Sequence, residues 1–159
     1  MKTFLQWKGH RWVALPVRVY LAFVFLFACV HKILHPDAFA VDVATYQILP
    51  LSLVNLVAIT LPWVELAAGL ALLAGFRARA GALLVAAMMA VFLFALSWAL
   101  AKGLDMSCGC FASQGAGEDP ISFRTVLRDL GWLLLALYVL WLDRHPVGVD
   151  AWLERRRAT

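Results

Sequence analysis

Charged residues are scarce in this chain of 159 residues. They make up 15% of the sequence, against about 25% in an ordinary soluble domain. Apolar residues make up 64%, and the mean hydropathy is +0.82. The composition therefore excludes a soluble globular protein and indicates an integral membrane protein.

The chain also lacks soluble linkers, low-complexity runs and clear internal repeats. Four stretches have roughly 18 or more nearly uncharged residues, enough to cross a hydrocarbon core of about 30 Å at about 1.5 Å per residue. They cover about 12–34, 51–75, 78–101 and 125–142. The sequence thus predicts an all-α integral membrane four-helix bundle that forms a single domain, with a short cytoplasmic basic tail over 145–159.

No Ala-x-Ala cleavage site follows the first apolar stretch, which is longer than the core of a secretory signal. We therefore expect it to remain as a signal anchor. Lys and Arg are split ten to four between the two sides of the predicted helices, and the basic side normally faces the cytoplasm. Both termini would then be cytoplasmic, and the loop around 104–111 would face the periplasm of a bacterial inner membrane. No basic stripe interleaved with aromatic residues indicates nucleic-acid binding.

The connection over 35–50 has the features of a short helix. Pro36 and Asp37 are typical of a helix start, and Phe39, Val43 and Tyr46 recur on one side of it. We expect a short amphipathic helix from about 37 to 46, lying across the outer mouth of the bundle. It would either shield the neighbouring cysteine loop or simply pack at the membrane interface.

Cysteine is rare as well, and two of the three cysteines, Cys108 and Cys110, are separated only by Gly109. Such a pair in an oxidising compartment is usually a structural disulfide. A bridge between residues i and i+2, however, closes a tiny loop and removes little entropy from the unfolded chain. It is also strained and therefore easily reduced, and Gly109 supplies the backbone freedom to close it. The pattern favours redox exchange over an inert pair or a metal or metalloid site.

Cys29 lies near the outer end of the first helix, with His31 and His35 just beyond it. A lone cysteine in a membrane helix is usually a small apolar residue; the alternative is a third thiol that relays the disulfide. Together with His31, His35, Cys108 and Cys110 it could also form a soft-metal site. Two histidines at the membrane interface are the simpler interpretation.

Glu65 is an acid inside a predicted membrane helix, which is costly and requires a partner. At about 1.5 Å per residue, Arg18 lies about 9 Å and Glu65 about 15 Å from the inner boundary. This difference of about 6 Å is within reach of two long side chains, so we predict an Arg18–Glu65 contact. The pair would fix the helix register or, with Pro62 and Trp63 beside it, form a proton or quinone-headgroup site.

Arg124 and Arg128 lie one turn apart at the outer start of the fourth helix, with Asp129 beside them. Both follow the cysteine loop closely, and a nearby cation raises the thiolate fraction of a cysteine. Either arginine is a candidate for this role. The alternative is that both side chains simply extend to the membrane interface.

Five segments form a recognisable combination: His31-Lys32 to Pro36, Tyr46-Gln47-Ile48-Leu49-Pro50, the block from Leu61-Pro62-Trp63-Val64-Glu65 to Gly69-Leu70, Cys108-Gly109-Cys110-Phe111, and Arg124 to Arg128. On these segments, which span most of its length, the chain resembles the MauE branch of the DoxX-like membrane proteins, the methylamine-utilisation proteins. The Leu-Pro-Trp-x-Glu-Leu-x-x-Gly block and Cys-Gly-Cys-Phe are together fairly specific. Cys29 lies outside this pattern, which counts against a three-thiol relay.

The resemblance implies a four-helix inner-membrane protein that works with a thioredoxin-like periplasmic partner. For methylamine users it implies a disulfide-rich client, the small subunit of methylamine dehydrogenase. It supports the redox class of activity more strongly than it supports that particular client.

The leading hypothesis is therefore a membrane thiol–disulfide oxidoreductase. The Cys108–Cys110 disulfide would accept electrons from the reduced partner through a mixed disulfide, with Cys108 slightly favoured as the sulfur attacked. A lipid quinone, ubiquinone or menaquinone, would re-oxidise the pair, and no tightly bound cofactor is expected. One alternative is a membrane protein that binds or transports mercury or copper, although no cysteine or acidic ladder continues through the later helices. The other is a non-catalytic membrane anchor of a redox assembly.

Overall fold

The computed structural model describes residues 9–104, 106, 108, 121–143 and 148–157. Over these residues the chain forms helices and no strand. The helices described are α1 (His10–Leu34), α2 (Pro36–Thr45), α3 (Leu51–Ala74), α4 (Ala78–Lys102), α5 (Phe123–Leu142) and α6 (Val149–Arg157). From Trp12 onward α1 is long and apolar enough to cross a membrane, and so are α3, α4 and α5. The prediction of an all-α protein with four membrane-spanning helices is confirmed.

The four long helices form a closed ring in which each packs against two neighbours. α1 contacts α3 and α5, and α4 contacts the same two helices from the other side. The centre of the ring holds large side chains that alternate with alanines: Leu21, Ala22, Phe25, Ala68, Leu72, Ala82, Val85, Ala86, Ala136 and Val139. Large apolar side chains also cover the outside, where Phe23, Phe27 and Phe94 are each more than half exposed. An apolar exterior of this kind is what contact with lipid requires, because the hydrocarbon is as apolar as the core.

Two glycines bring α3 close to its neighbours. A Cβ atom added at Gly69 would lie 2.9 Å from the Leu26 Cγ of α1 and 3.4 Å from the Ala22 carbonyl oxygen. One added at Gly81 of α4 would lie 3.3 Å from the Ala68 carbonyl oxygen of α3. Small residues at these points let the helix backbones approach each other. The Gly69 contact therefore fixes how α1 and α3 are placed along each other.

The turn between α3 and α4 is as short as the sequence predicts. Gly75 adopts a left-handed conformation with φ of +65°, and the Phe76 N–H donates to the Ala71 carbonyl at 3.1 Å. This is the hydrogen-bonding pattern of a glycine-terminated helix. Arg77, also at positive φ, then leads directly into α4. The two helices are consequently antiparallel neighbours.

The short helices α2 and α6 lie at opposite ends of the ring. α2 follows α1 with only His35 between them and packs against α1 and α3. The Asp150 N–H of α6 donates to the Gly75 carbonyl oxygen at 3.1 Å, beside the end of α3. We call the two ends the Cys108 end, with α2, and the Asp143 end, with α6. Which side of the membrane each end faces, and how α2 and the basic tail lie against the lipid, stay predictions.

Two ion pairs are buried at different depths in the ring. The Arg18 Nη1 donates to the Asp143 Oδ2 at 3.2 Å, at the Asp143 end. The Lys32 Nζ donates to the Glu65 Oε1 at 2.7 Å, between α1 and α3. All four side chains are more than nine-tenths buried. The predicted Arg18–Glu65 contact is therefore wrong.

The register of α1 against α3 explains the error. The prediction placed the inner ends of the two helices level, whereas the structure brings Gly69 against Leu26. Arg18 lies eight residues before Leu26 on α1. Because α3 is antiparallel to α1, the position opposite Arg18 lies eight residues after Gly69, at position 77, which is beyond the end of α3 at Ala74. In the other direction, the same register brings Glu65 within reach of the long side chain of Lys32.

Candidate functional site

Cys108 is buried at one end of the ring, between α4 and α5. Cys108 is only 2% exposed and packs with the side chains of an apolar cluster: Tyr46, Leu96, Ala99 and Met106. The Cys108 sulfur is disulfide-bonded. Gly109 and Cys110, the predicted partner, lie outside the described residues, so the Cys108–Cys110 pairing stays a prediction.

Arg128 is the cation that reaches the Cys108 sulfur. Its Nη2 lies 3.8 Å from the Cys108 Sγ, and its Nε donates to the Asp129 Oδ1 at 2.9 Å. Its guanidinium carbon lies 4.9 Å from the centre of the Trp132 ring, one helical turn further along α5. Asp129 and Trp132 thus hold the guanidinium beside the sulfur, where its positive charge favours a thiolate. Arg124, the other predicted candidate, is exposed.

The start of α5 is fixed locally, which orients this arginine. The Thr125 N–H donates to the Ser122 Oγ, and the Ser122 N–H donates to the Thr125 Oγ1, each at 3.4 Å. This reciprocal pattern is a capping box, which satisfies backbone N–H groups that have no partner within the helix. The helix therefore begins at a defined residue, and Arg128 projects from its second turn toward Cys108.

Tyr46 holds the backbone of the cysteine through a hydrogen bond. Its hydroxyl donates to the Cys108 carbonyl oxygen at 2.9 Å, and its ring packs edge-on against Phe92. Burial raises the pKa of the Tyr46 hydroxyl well above its usual range, and the carboxylates of Asp42 and Asp129 raise it further. The hydroxyl therefore stays protonated and able to donate. The sequence pattern places Tyr46 in an apolar stripe and does not reveal this hydrogen bond.

A cavity of about 420 Å³ lies beside Cys108. Its walls come from α1 to α5 and the segments next to them, and most of its lining side chains are apolar. The lining residues with polar groups are Lys32, Asp42, Tyr46, Glu65, Cys108 and Trp132. Its volume is within the range of small-molecule binding sites. The cavity therefore connects the disulfide-bonded cysteine with the buried Lys32–Glu65 pair.

The Lys32–Glu65 pair leaves one hydrogen-bonding position open. Glu65 is 6% exposed, and its Oε1 accepts from Lys32. Its Oε2 is buried without a hydrogen-bond partner among the described residues. Because a buried carboxylate oxygen is costly to leave without a partner, this oxygen is a candidate ligand-binding atom in the cavity wall.

The chain matches a protein family described as "Methylamine utilisation protein MauE" over residues 10–142. The chain belongs to the MauE family. It is 33% identical over 124 residues to the methylamine utilization protein MauE of Paracoccus denitrificans, covering 77% of this chain and 66% of that protein. It is also 33% identical over 139 residues to the protein of the same name from Methylophilus methylotrophus, covering 87% of this chain and 73% of that one. No solved structure matches the chain.

The matched segments span about two thirds to three quarters of the length of these two MauE proteins. The match includes all four membrane-spanning helices of this chain. A multi-pass membrane protein of the MauE family is thus what the fold and the comparisons support together. Its place among the DoxX-like proteins stays a prediction.

In this MauE-family protein, the residues that the sequence predicts to form one site with Glu65 lie in different surroundings. Glu65 lines the cavity, but Arg18 lies at the Asp143 end, paired with Asp143. Pro62 is buried within α3, and Trp63 is exposed on its outer face. Lys32 is the partner that the sequence analysis missed. The signal is present in the sequence, since Lys32 is a lysine within an apolar helix, but a lysine near the end of such a helix is also typical of a residue at the membrane interface.

The residues of the alternative soft-metal site do not converge among the described residues. The His31 and His35 rings lie 5.0 Å apart between centroids, while the Cys29 thiol donates to the Leu26 carbonyl of its own helix at 3.2 Å. In the part of the chain that the structure describes, no group of three or more His, Cys, Asp and Glu side chains is arranged to hold a metal ion. Cys29 is a free thiol that does not line the cavity, and a relay role for it stays a prediction.

Proposed function

We propose that this protein is a membrane thiol–disulfide oxidoreductase whose Cys108–Cys110 disulfide accepts electrons from a thioredoxin-like partner. The observation that carries the proposal is the 3.8 Å contact between the Arg128 Nη2 and the Cys108 Sγ. A guanidinium at that distance stabilises the thiolate that forms when the disulfide is opened. An inert structural bridge has no need of such a contact.

The burial of Cys108 indicates which sulfur of the disulfide the partner attacks. A thiolate of the partner attacks Cys110, a partner–Cys110 bond forms, and the Cys108–Cys110 bond breaks. A protein thiol has little access to the Cys108 sulfur, because Cys108 is only 2% exposed. Cys108 is therefore the leaving group and departs as a thiolate beside Arg128. The second thiol of the partner then displaces Cys110, so the partner ends oxidised and the membrane protein holds two thiols. This assignment replaces the slight preference for attack at Cys108 that the sequence suggested.

Membership of the MauE family supports a role for this proposed exchange in methylamine utilisation. The curated relatives from Paracoccus denitrificans and Methylophilus methylotrophus carry that role in their names. We propose the same system for this chain, with the Cys108 end facing the periplasm and a disulfide-rich client such as methylamine dehydrogenase beyond the partner. A lipid quinone is the proposed acceptor that restores the disulfide.

A trapping experiment tests the exchange. Purified, oxidised protein is mixed with a thioredoxin that lacks its second active-site cysteine, so that a mixed disulfide cannot be resolved by the partner. We expect a covalent adduct that mass spectrometry locates at Cys110, and the same adduct with the Cys29→Ser variant. Alkylation across a glutathione series should also show a reducible pair.

Two results would contradict this proposal. One is a protein whose Cys108 and Cys110 never pair in any glutathione mixture. The other is a pair that forms but gives no adduct with the thioredoxin, which would leave the disulfide as a structural feature.

A further inference from the structure

We infer that the cavity beside Cys108 binds the headgroup of a lipid quinone, held by the Lys32–Glu65 pair, and that this quinone takes the electrons from the Cys108–Cys110 dithiol. The inference rests on the proposed function and names the binding site of its electron acceptor. Three observations carry it: the composition of the cavity wall, the state of the buried ion pair, and the position of Cys108 on the same wall.

The cavity wall suits a molecule that arrives from the lipid. Apolar side chains from α1, α3 and α4 line it, among them Val57, Leu61 and Phe92. A water-soluble disulfide reagent or peptide would lose hydration in such a site without regaining hydrogen bonds. A quinone ring with the first part of its isoprenoid chain is largely apolar, its two carbonyl oxygens are its strongest hydrogen-bond acceptors, and it fits a space of about 420 Å³.

The buried ion pair provides the polar groups that a quinone ring requires. The Lys32 ammonium has three N–H donors, and its Nζ donates to the Glu65 Oε1 at 2.7 Å. It can therefore donate to a quinone carbonyl oxygen as well, where it would stabilise the negative charge that develops during reduction. The Glu65 Oε2, which has no partner among the described residues, can accept from the hydroxyl of the quinol product. The pair thus offers a donor for the oxidised form and an acceptor for the reduced form.

Cys108 completes the site because it lines the same cavity. In the reaction, the two S–H bonds of Cys108 and Cys110 are broken and the S–S bond is formed. Two electrons and two protons pass to the quinone, which becomes a quinol with two new O–H bonds. The reaction is balanced without a further oxidant, and Arg128 favours its start because it stabilises the Cys108 thiolate.

A single-turnover assay tests the inference. The full-length protein in lipid nanodiscs is reduced with dithiothreitol, freed of reductant and mixed with ubiquinone-1. We expect loss of both thiols together with one quinol formed per disulfide. Binding is followed separately, by the quenching of tryptophan fluorescence by ubiquinone-1, because Trp132 lines the cavity.

Two neighbouring positions on α3 provide a matched pair of variants. Val57 lines the cavity, whereas Ile59 is 60% exposed on the outer face of the helix and does not. Val57→Phe adds a ring within the cavity and is expected to weaken both quenching and quinol formation by roughly tenfold or more. Ile59→Phe should match the wild type within about twofold, as surface substitutions usually do. Ile59→Phe should also form the thioredoxin adduct like the wild type.

The outcomes separate this inference from the proposed function. If the wild type forms the thioredoxin adduct but its thiols are not oxidised by ubiquinone-1, the quinone site is wrong and the exchange activity stands. Equal effects of Val57→Phe and Ile59→Phe would show that quinone binds elsewhere. A protein that gives neither adduct nor quinol would overturn both.

Discussion

The Lys32 Nζ lies 2.7 Å from the Glu65 Oε1, with both side chains about nine-tenths buried between α1 and α3. This pair connects two features of the molecule. Lys32 balances the charge of the Glu65 carboxylate within α3, and both residues line the cavity that Cys108 also lines. The neighbouring helix contact at Gly69 and Leu26 fixes the register that brings the two charges together.

Removing one member of this pair should strongly destabilise the protein. Lys32→Met or Glu65→Leu alone leaves a buried charge without its partner, which costs about 3–5 kcal/mol. The double variant replaces the pair with apolar groups and should lose far less than the sum of the two single losses. Reversible unfolding in mixed micelles measures these free energies.

A second cycle controls for the pairing itself. Arg18→Met combined with Glu65→Leu should give additive losses, because Arg18 pairs with Asp143 instead. A strong coupling energy between Arg18 and Glu65 would support the contact expected from the sequence and contradict the observed register.

Arg128 should control the reactivity of the reduced Cys108. In Arg128→Ala, the midpoint of the pH dependence of Cys108 alkylation by iodoacetamide should move upward by roughly one unit, because a cation within a few ångströms favours the thiolate. Arg128→Lys should retain part of the effect. Arg124→Ala is the matched control on the same helix, since Arg124 is exposed, and equal shifts for the two alanine variants would refute a specific role for Arg128.

Gly69 should be far less tolerant of a methyl group than Gly131. In Gly69→Ala the new Cβ would lie 2.9 Å from the Leu26 Cγ, so the Leu26 side chain or the two helices must shift, at a cost of about 1–3 kcal/mol. Gly131 has open space at the same position, and Gly131→Ala should gain about 0.5–1 kcal/mol from helix propensity. Thermal unfolding of both variants measures the contrast, and a neutral Gly69→Ala would show that this contact does not set the packing.

The Tyr46 hydroxyl should give the fold a dependence on alkaline pH. Its pKa is raised in the folded protein, chiefly by burial and then by Asp42 and Asp129. The free energy that the protonated Tyr46 hydroxyl contributes to folding is therefore fully present below the pKa of this hydroxyl in the unfolded chain, about 10. It is lost as the pH rises toward the pKa of the hydroxyl in the folded protein. Tyr46→Phe should cost about 1–2 kcal/mol at neutral pH and flatten the alkaline loss.

Thermal unfolding measured at several pH values from neutral to alkaline checks this prediction. Tyr20→Phe is the control, because the Tyr20 ring is half exposed. If Tyr46→Phe loses stability at alkaline pH as steeply as the wild type, another group is responsible for the dependence.

Much of the fold could be predicted from the sequence because hydropathy is a property of each segment by itself. Scarce charge and four long apolar stretches predict four membrane-spanning helices, and the structure contains them. The short link 75–77 likewise determines that α3 and α4 are neighbours. For the candidate site, spacing identified Cys108 and reduced the possible cations to Arg124 and Arg128.

Only the tertiary structure decided which of these arginines meets the sulfur, which partners the buried charges take, and that a cavity joins Cys108 to Glu65. These features depend on how far the helices slide and rotate against each other. That placement is set by close contacts such as Gly69 on Leu26, and a shift of a few residues exchanges one long side chain for another. The depth of each residue along its own helix therefore predicted Arg18 as the partner of Glu65, whereas the register of the packed helices makes Lys32 the partner. The sequence by itself determined that the chain crosses the membrane and carries a paired-cysteine motif, since both are local. The packing determined what surrounds Cys108, since Tyr46, α4 and α5 must meet there in space.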